Sequence, residues 1–427
     1  MLRKISSVFT IYYLLFCSSC APRKQHADLT IWHWMTDREN VFIELAKKYE
    51  KETGIKVKFE LYAPSEIYSQ KVRASAQTNT LPDIYGILGE TRDFASFIRS
   101  GFVENLTEEM NANNEEWKKV FFSKALENNT FKPNNQYGIE PGIYGVPIDM
   151  MNIQMLYNKE LFKKAGLDPE KPPRTWDEFV SYNRKLREAN IPGLVSGFGE
   201  IWLIDCLANN YAFNIMGEEK FIKTLKGEIP YTDPDWLEVF KIFELMRVEN
   251  ILVKDSITMI NKTAEQTFAL NKAAFAFNGS WCINVYKGMN PNLNYAPMLP
   301  PIISKKFPMR IWGGAGSSFV VNAKSNRKTE AIKFLKWLTA KDQQVLLTQQ
   351  TLNLPSNKES LTEIHPILRQ FADDMDLITH PTIWPVNEFP EVIEAFDKGI
   401  QSILIGEKTP QQVATEVQKI KERKLKS

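Results

Sequence analysis

The sequence predicts an α/β protein of two lobes, and three observations carry that expectation. At 427 residues the chain exceeds what one ordinary hydrophobic core organises, so two domains are expected. Between Leu29 and Leu88 short apolar runs alternate with helical patterns in a βαβαβ order, which implies a mostly parallel sheet flanked by helices. The run YGVPIDMMNIQMLYNKELFKKAGL, from Tyr144 to Leu167, reads as a strand that carries the main chain from one lobe into the other, followed by a helix. It carries no catalytic motif.

The elements follow in order. Leu29 to Trp34 is a short, mostly apolar strand of the buried type. Asn40 is placed to cap a helix whose apolar face includes Val41, Phe42, Leu45 and Tyr49, and Gly54 ends it. Ile55, Val57, Phe59 and Leu61 alternate with Lys56, Lys58 and Glu60, a half-buried strand. A helix from Ser65 to Thr78 and a third strand, Asp83 to Ile87, complete the unit. Ligands bind beyond the carboxyl ends of such strands, so Trp34 and the loop after the third strand face the expected site.

Further along, Thr175 and Glu178 form a capping box for a helix reaching Ala189. Further helices are expected from Trp202 and over Asp233 to Glu249. The strand Ala273 to Phe277 leads through Asn278-Gly279-Ser280 into Trp281 at a helix start. A second Gly turn, Trp312 to Ser317, precedes a strand from Ser318 to Val321. Thr409 caps the last helix, with Pro410 in its first turn.

Composition excludes some functions. The formal charge is only +2 with both signs interspersed, whereas a nucleic-acid binder concentrates its basic residues. The 10 Trp exceed what a core requires, and this large amphipathic side chain suits the wall of a cleft.

Arg3 and Lys4 precede an apolar stretch from Val8 to Phe16, far short of the ~20 residues of a spanning helix. Residues 1–19 therefore read as a signal peptide. Ser18 and Ser19 before Cys20 resemble a bacterial lipobox, with Cys20 as the acylated first residue and residues 20–27 as a tether from the membrane. Cys17 stands where that pattern usually has an aliphatic residue, so ordinary cleavage nearby and a soluble secreted protein is the alternative. Cys206 and Cys282 are expected as two separate buried thiols, although export would permit a disulfide.

Several landmarks recur in one order: Leu81-Pro82-Asp83, the Tyr144 to Leu167 block, Pro173-Arg174-Thr175-Trp176-Asp177-Glu178-Phe179, and KAAFAFNGSW ending at Trp281. Gly313-Gly314 before a strand, Asn322-Ala323-Lys324, the Ala331 to Leu338 helix and Asn353-Leu354-Pro355 follow. Together they resemble the extracellular solute-binding proteins of ABC importers, the family 1 type that binds sugars and maltodextrins. The resemblance covers essentially everything after the tether. It implies the two-lobed periplasmic-binding-protein-like fold (type II), each lobe a mostly parallel sheet flanked by helices and joined by hinge strands. The first lobe would comprise residues 28–147 and 313–360, the second residues 148–312 and 361–427. Crossings are expected near Asp149 to Tyr157, near Trp312 to Ser318 and after Pro355.

The resemblance implies a monomeric, membrane-anchored carbohydrate-capturing protein outside the cytoplasm. Hinge closure would trap its ligand for a permease, with no cofactor and no metal. Trp281 is the first candidate platform for a sugar ring, followed by Trp312, Trp34 and Trp202, each of which also suits a core. Asp83 and Asp149 are the polar candidates; Asp83 equally suits fixing a turn, and Asp149 a hinge hydrogen bond. Trp176, beside a helix cap, reads as structural.

Rival readings remain. An exported carbohydrate-active hydrolase would need acid–base groups, yet only His26, His33, His365 and His380 supply imidazoles, and neither His-Glu-x-x-His nor Gly-x-Ser-x-Gly occurs. Paired carboxylates remain open to it, since any long chain supplies Asp and Glu. Glycerol phosphate, a polyamine, a metal or a peptide are the alternative solutes, with Arg38, Arg92 and Arg310 available to a phosphate.

Overall fold

The computed structural model describes residues 28–63, 65–87, 91–135, 137–378 and 388–426. Its strands are β1 (Leu29–His33), β2 (Val57–Leu61), β3 (Ile84–Ile87), β4 (Thr130–Phe131), β5 (Gly142–Ile143), β6 (Val146–Asn158), β7 (Leu194–Val195), β8 (Phe275–Gly279), β9 (Tyr295–Met298), β10 (Gly313–Val321) and β11 (Leu354–Pro355). Seven of them form one path, β2-β1-β3-β10-β6-β8-β7, with β9 and β11 pairing β6 from the side. In the first lobe β1 runs parallel to both β2 and β3; in the second β7 runs parallel to β8.

The antiparallel members are the ones that join the lobes. The first part of β6 pairs β10 and β11, and its last part pairs β8 and β9. At 13 residues, β6 is long enough to serve both lobes, and its side chains are almost all buried. Its apolar alternation lets one face enter each lobe's core in turn.

Two apolar clusters lie on the two faces of the first lobe's sheet. One contains Phe42, Leu45, Val146, Ile148, Phe319 and Phe334; the other contains Trp32, Tyr68, Tyr85, Phe94 and Val320. The second lobe packs Ile153, Phe179, Tyr211, Trp236, Phe275 and Phe396 together. Each lobe thus buries an apolar core of its own, at about 1.5–3 kcal/mol per fully buried large side chain.

Most local expectations hold for the reasons given. Gly54 adopts the left-handed conformation at φ 77° and ends the helix Glu39–Thr53. Thr175 and Glu178 form the reciprocal capping box of Trp176–Glu188. Cys206 and Cys282 are buried and unbridged.

Two expectations need correction. Asn40 caps nothing: a 3-10 turn, Thr36–Arg38, runs straight into the first helix without a side-chain cap. The Gly313–Gly316 run is part of β10, not a turn before it. Its register against β6 shifts between Ala315, Ser317 and Ser318, an irregularity that small residues accommodate.

Candidate functional site

The parallel strands deliver tryptophans at their carboxyl ends, in both lobes. Trp34 follows β1. Its indole lies against Tyr68, with ring centroids 5.2 Å apart, and across Gly86 of β3, where any Cβ would collide with it. The Tyr68 hydroxyl fixes this corner by donating to the carbonyls of Trp32 and Gly86, at 3.2 and 2.7 Å.

In the second lobe β7 continues to Glu200 and to the helix Trp202–Leu225, while β8 continues to Ser280 and Trp281. The Ser280 amide donates to the Asn152 carbonyl of β6, which ties this end of β8 to the hinge strand. The Trp281 ring folds back over Gly279, again where a Cβ could not fit. Trp202 is 37% exposed, and its ring centroid lies 6.1 Å from that of Trp281 at an interplanar angle of 46°.

Glutamates hold both indoles. Trp202 Nε1 donates to Glu200 Oε2 at 3.3 Å, and Trp281 Nε1 donates to Glu265 Oε1 at 3.2 Å. Asn261 joins the two: its backbone N–H donates to Glu200 Oε1 at 2.7 Å and its Nδ2 to Glu265 Oε1 at 3.1 Å. Asn278 Nδ2 adds a third donor to Glu265 Oε1, at 3.0 Å. Burial pushes the Glu265 carboxyl above its usual range, the charge of Glu200 adds to this, and the three donors oppose it. Among the described residues neither glutamate has a basic partner.

Asp149 sits in the floor between the lobes, only 3% exposed. Arg38 Nη2 approaches Asp149 Oδ2 at 2.5 Å, and Ser317 donates to Oδ1 through its amide at 2.6 Å and its hydroxyl at 2.7 Å. Arg38 Nη1 also donates to Ser317 Oγ at 2.7 Å. Burial raises the Asp149 carboxyl pKa while Arg38 pulls against it. Of the two roles expected for Asp149, at the ligand or as a hinge hydrogen bonder, these contacts fit the second.

Asp83 is placed elsewhere. It precedes β3, at the end of the sheet opposite Trp34, and accepts from the Thr30 amide at 2.9 Å and Ser325 Oγ at 2.6 Å. Its role there is to fix the turn into β3. Trp312 precedes β10 at the hinge, where its carbonyl accepts from the Ile153 amide at 2.8 Å and its half-buried ring packs on the second lobe's core. Of the arginines open to a phosphate, Arg38 is committed to Asp149, and Arg310 donates to the Asp376 carbonyl. The Arg92 side chain, the loop at 88–90, His380, the signal peptide and Cys20 lie outside the described residues.

The structure therefore brings Trp202 and Trp281 together and places Trp34 at the matching end of the other lobe's strands. Sequence reasoning missed Glu200, Asn261, Glu265 and Asn278 as a set. They come from three separate segments, and only Asn261 and Glu265, four apart on one helix, are linked by a spacing rule. The one available sign was a Glu in the Gly-rich stretch just before Trp202.

Comparison with known proteins agrees with this architecture. Residues 34–345 match the family described as bacterial extracellular solute-binding protein. An uncharacterized ABC transporter extracellular-binding protein of Pyrococcus horikoshii is 24% identical over 419 residues, covering 94% of this chain and 88% of its own. The multiple sugar-binding protein of Streptococcus mutans is 26% identical over 267 residues, 61% of this chain and 59% of its own. Among solved structures, an ABC transporter solute-binding protein from Thermotoga lettingae bound with α-D-tagatose superposes with a TM-score of 0.71 at 21% identity, covering 93% of this chain and 99% of that one. With two lobes joined by hinge strands and a family match across most of its length, the chain belongs to the bacterial extracellular solute-binding proteins.

Proposed function

We propose that this chain captures a carbohydrate between its two lobes and delivers it to the membrane permease of an ABC importer. The observation that carries the reading is the placement of Trp34 in one lobe and of Trp202 and Trp281 in the other at strand carboxyl ends, the latter pair beside Glu200 and Glu265. A sugar ring has apolar C–H faces and a rim of hydroxyls. Indoles cover the faces, each contributing roughly 1–2 kcal/mol by area burial. The half-buried Glu200 carboxylate accepts from the hydroxyls, which would otherwise cost about 1–3 kcal/mol each if buried unpaired. A ligand touching both lobes favours the closed form by the contacts it gains there. The sugars named for the relatives support the same class.

The chain binds its solute without transforming it, needs no cofactor and acts as a monomer. Cleavage before Cys20 and acylation of that residue hold it at the outer face of the membrane. We divide the lobes as residues 28–147 with 313–360 and 148–312 with 361–427. The distribution of Phe319, Phe334 and Leu347 in one core and Val392, Phe396 and Val417 in the other supports that division.

A second reading has one specific observation in its favour. Glu200 and Glu265 lack a basic partner among the described residues, and beside two indoles they suit a cationic solute such as a polyamine. A thermal-shift screen with mono- and oligosaccharides, polyols, sugar phosphates and spermidine separates the two. A saccharide that raises the melting temperature is the expected result. A shift with spermidine and none with any carbohydrate replaces the sugar assignment.

A further inference from the structure

We propose that Glu265 is a positioning residue for ligand capture: linked to Glu200 by Asn261, it fixes Trp281 relative to Trp202 so that the two indoles act as one two-sided wall. The inference rests on the capture function proposed above but reaches a residue that no sequence pattern singled out.

The geometry requires some such device. Trp281 is only partly buried, and the strand beneath its ring offers Gly279, which lets the indole approach but supplies no side chain to hold it laterally. The Nε1–H is the ring's one polar handle, and Glu265 Oε1 takes it. Glu265 stands on the helix Asn261–Ala269 and is 6% exposed, so its own position is fixed by packing and by the two asparagine donors. A buried carboxylate is costly unless hydrogen-bonded, and this one accepts from Asn278 at the end of β8, from Trp281 just beyond it and from Asn261 on its own helix. Asn261 extends the constraint to the other ring, because Glu200 receives the Asn261 amide on one oxygen and Trp202 Nε1 on the other. The chain Trp281–Glu265–Asn261–Glu200–Trp202 therefore sets the 46° tilt between the indoles. A purely structural Glu265 would stabilise the lobe without controlling that tilt.

Paired indoles at this separation give an exciton couplet in far-ultraviolet circular dichroism, and its difference against Trp202→Phe isolates the pair from the other tryptophans. The test measures this couplet in the full-length protein for Glu265→Ala, Glu265→Gln and Asn261→Ala, with maltotriose affinity by calorimetry alongside. Loss of the couplet in Glu265→Ala, its retention in Glu265→Gln (whose carbonyl still accepts from Nε1) and a reduced amplitude in Asn261→Ala are expected. Maltotriose affinity is expected to fall about tenfold in Glu265→Ala and to hold within about threefold in Glu265→Gln. A full couplet in Glu265→Ala overturns the proposal, as does loss in both Glu265 variants or an unchanged affinity beside a lost couplet. Should Glu265→Ala not fold, Asn261→Ala decides, and a wild-type couplet there is the overturning result. If the wild-type protein binds no maltotriose, the couplet still tests the positioning role, while the solute screen separately tests the carbohydrate reading.

Discussion

Arg38 meets Asp149 at 2.5 Å, a buried ion pair that joins the turn after β1 to the strand running between the lobes. Ser317 of the second hinge strand bonds both partners, and Asn353, just before β11, donates to neighbouring Asp37 at 3.0 Å. All three hinge segments thus converge on one turn of the first lobe. Removing one charge leaves the other buried and unpaired, at a cost of about 3–5 kcal/mol. Urea denaturation should show that loss for Arg38→Met. The double variant Arg38→Met/Asp149→Leu should lose clearly less than the sum of the single changes. Additive losses would mean that the two side chains do not act as a pair.

Much of the scaffold was legible because local chemistry and global fold agree. The Lys/Glu alternation of β2, Gly54 at its helix end and the Thr175–Glu178 box each specify one element by a short-range rule. The site was legible only in part. Trp281 follows a strand that the sequence shows, so its placement at a carboxyl end was inferable from order alone, whereas the two-residue β7 before Trp202 is too short to read that way. Glu265 and Asn261 share one helix face, but they gain meaning only when that helix meets the distant segments carrying Glu200 and Asn278, and no periodicity records that. Asp149 and Asp83 show the converse: both stand at landmark positions, yet the hinge occupies one and a turn the other. A landmark marks a geometrical demand, and the demand can be structural.

His33 should make stability depend on mild acidity. It is fully buried in β1, edge-on to Phe42 and Phe59 at 5.1 and 5.8 Å, and burial lowers its pKa from 6.5 to about 4, with the charge of Arg38 adding to the effect. The unfolded chain therefore binds a proton that the folded chain refuses. Stability is full above pH 6.5 and falls as the pH drops toward 4, by up to about 3 kcal/mol for this group. His33→Phe keeps an aromatic ring there and removes the proton site. Melting temperatures across this range should fall less steeply in that variant than in the wild type; parallel curves would exclude His33 as the cause.

Cys20 should decide membrane attachment. A single acyl chain gives only marginal binding, whereas the two or more chains of a bacterial lipoprotein anchor firmly. Fatty-acid labelling of cells producing the protein should mark the wild type and not Cys20→Ala, which should appear in the soluble extracytoplasmic fraction. Equal labelling of both would assign the lipid elsewhere, and none in either would favour cleavage to a soluble secreted form.

Gly86 and Gly279 offer the sharpest test of the aromatic platforms, because each change adds one methyl and no charge. Both glycines are themselves buried in their strands, and at each an added Cβ would meet an indole, Trp34 in one lobe and Trp281 in the other. The ring is the softer partner: it can swing outward, while the strand is held by its ladder. Overpacking of this kind costs about 1–3 kcal/mol. Part of that cost should appear as lost ligand affinity, since a displaced ring no longer presents its face. Gly279→Ala should therefore weaken binding of a captured saccharide at least as much as Trp281→Leu does, with far-ultraviolet dichroism of the backbone otherwise preserved. Gly86→Ala should do the same through Trp34. Because the two glycines serve opposite lobes, the double variant should weaken binding by about the product of the single effects. Wild-type affinity in both single variants would remove these indoles from the binding surface.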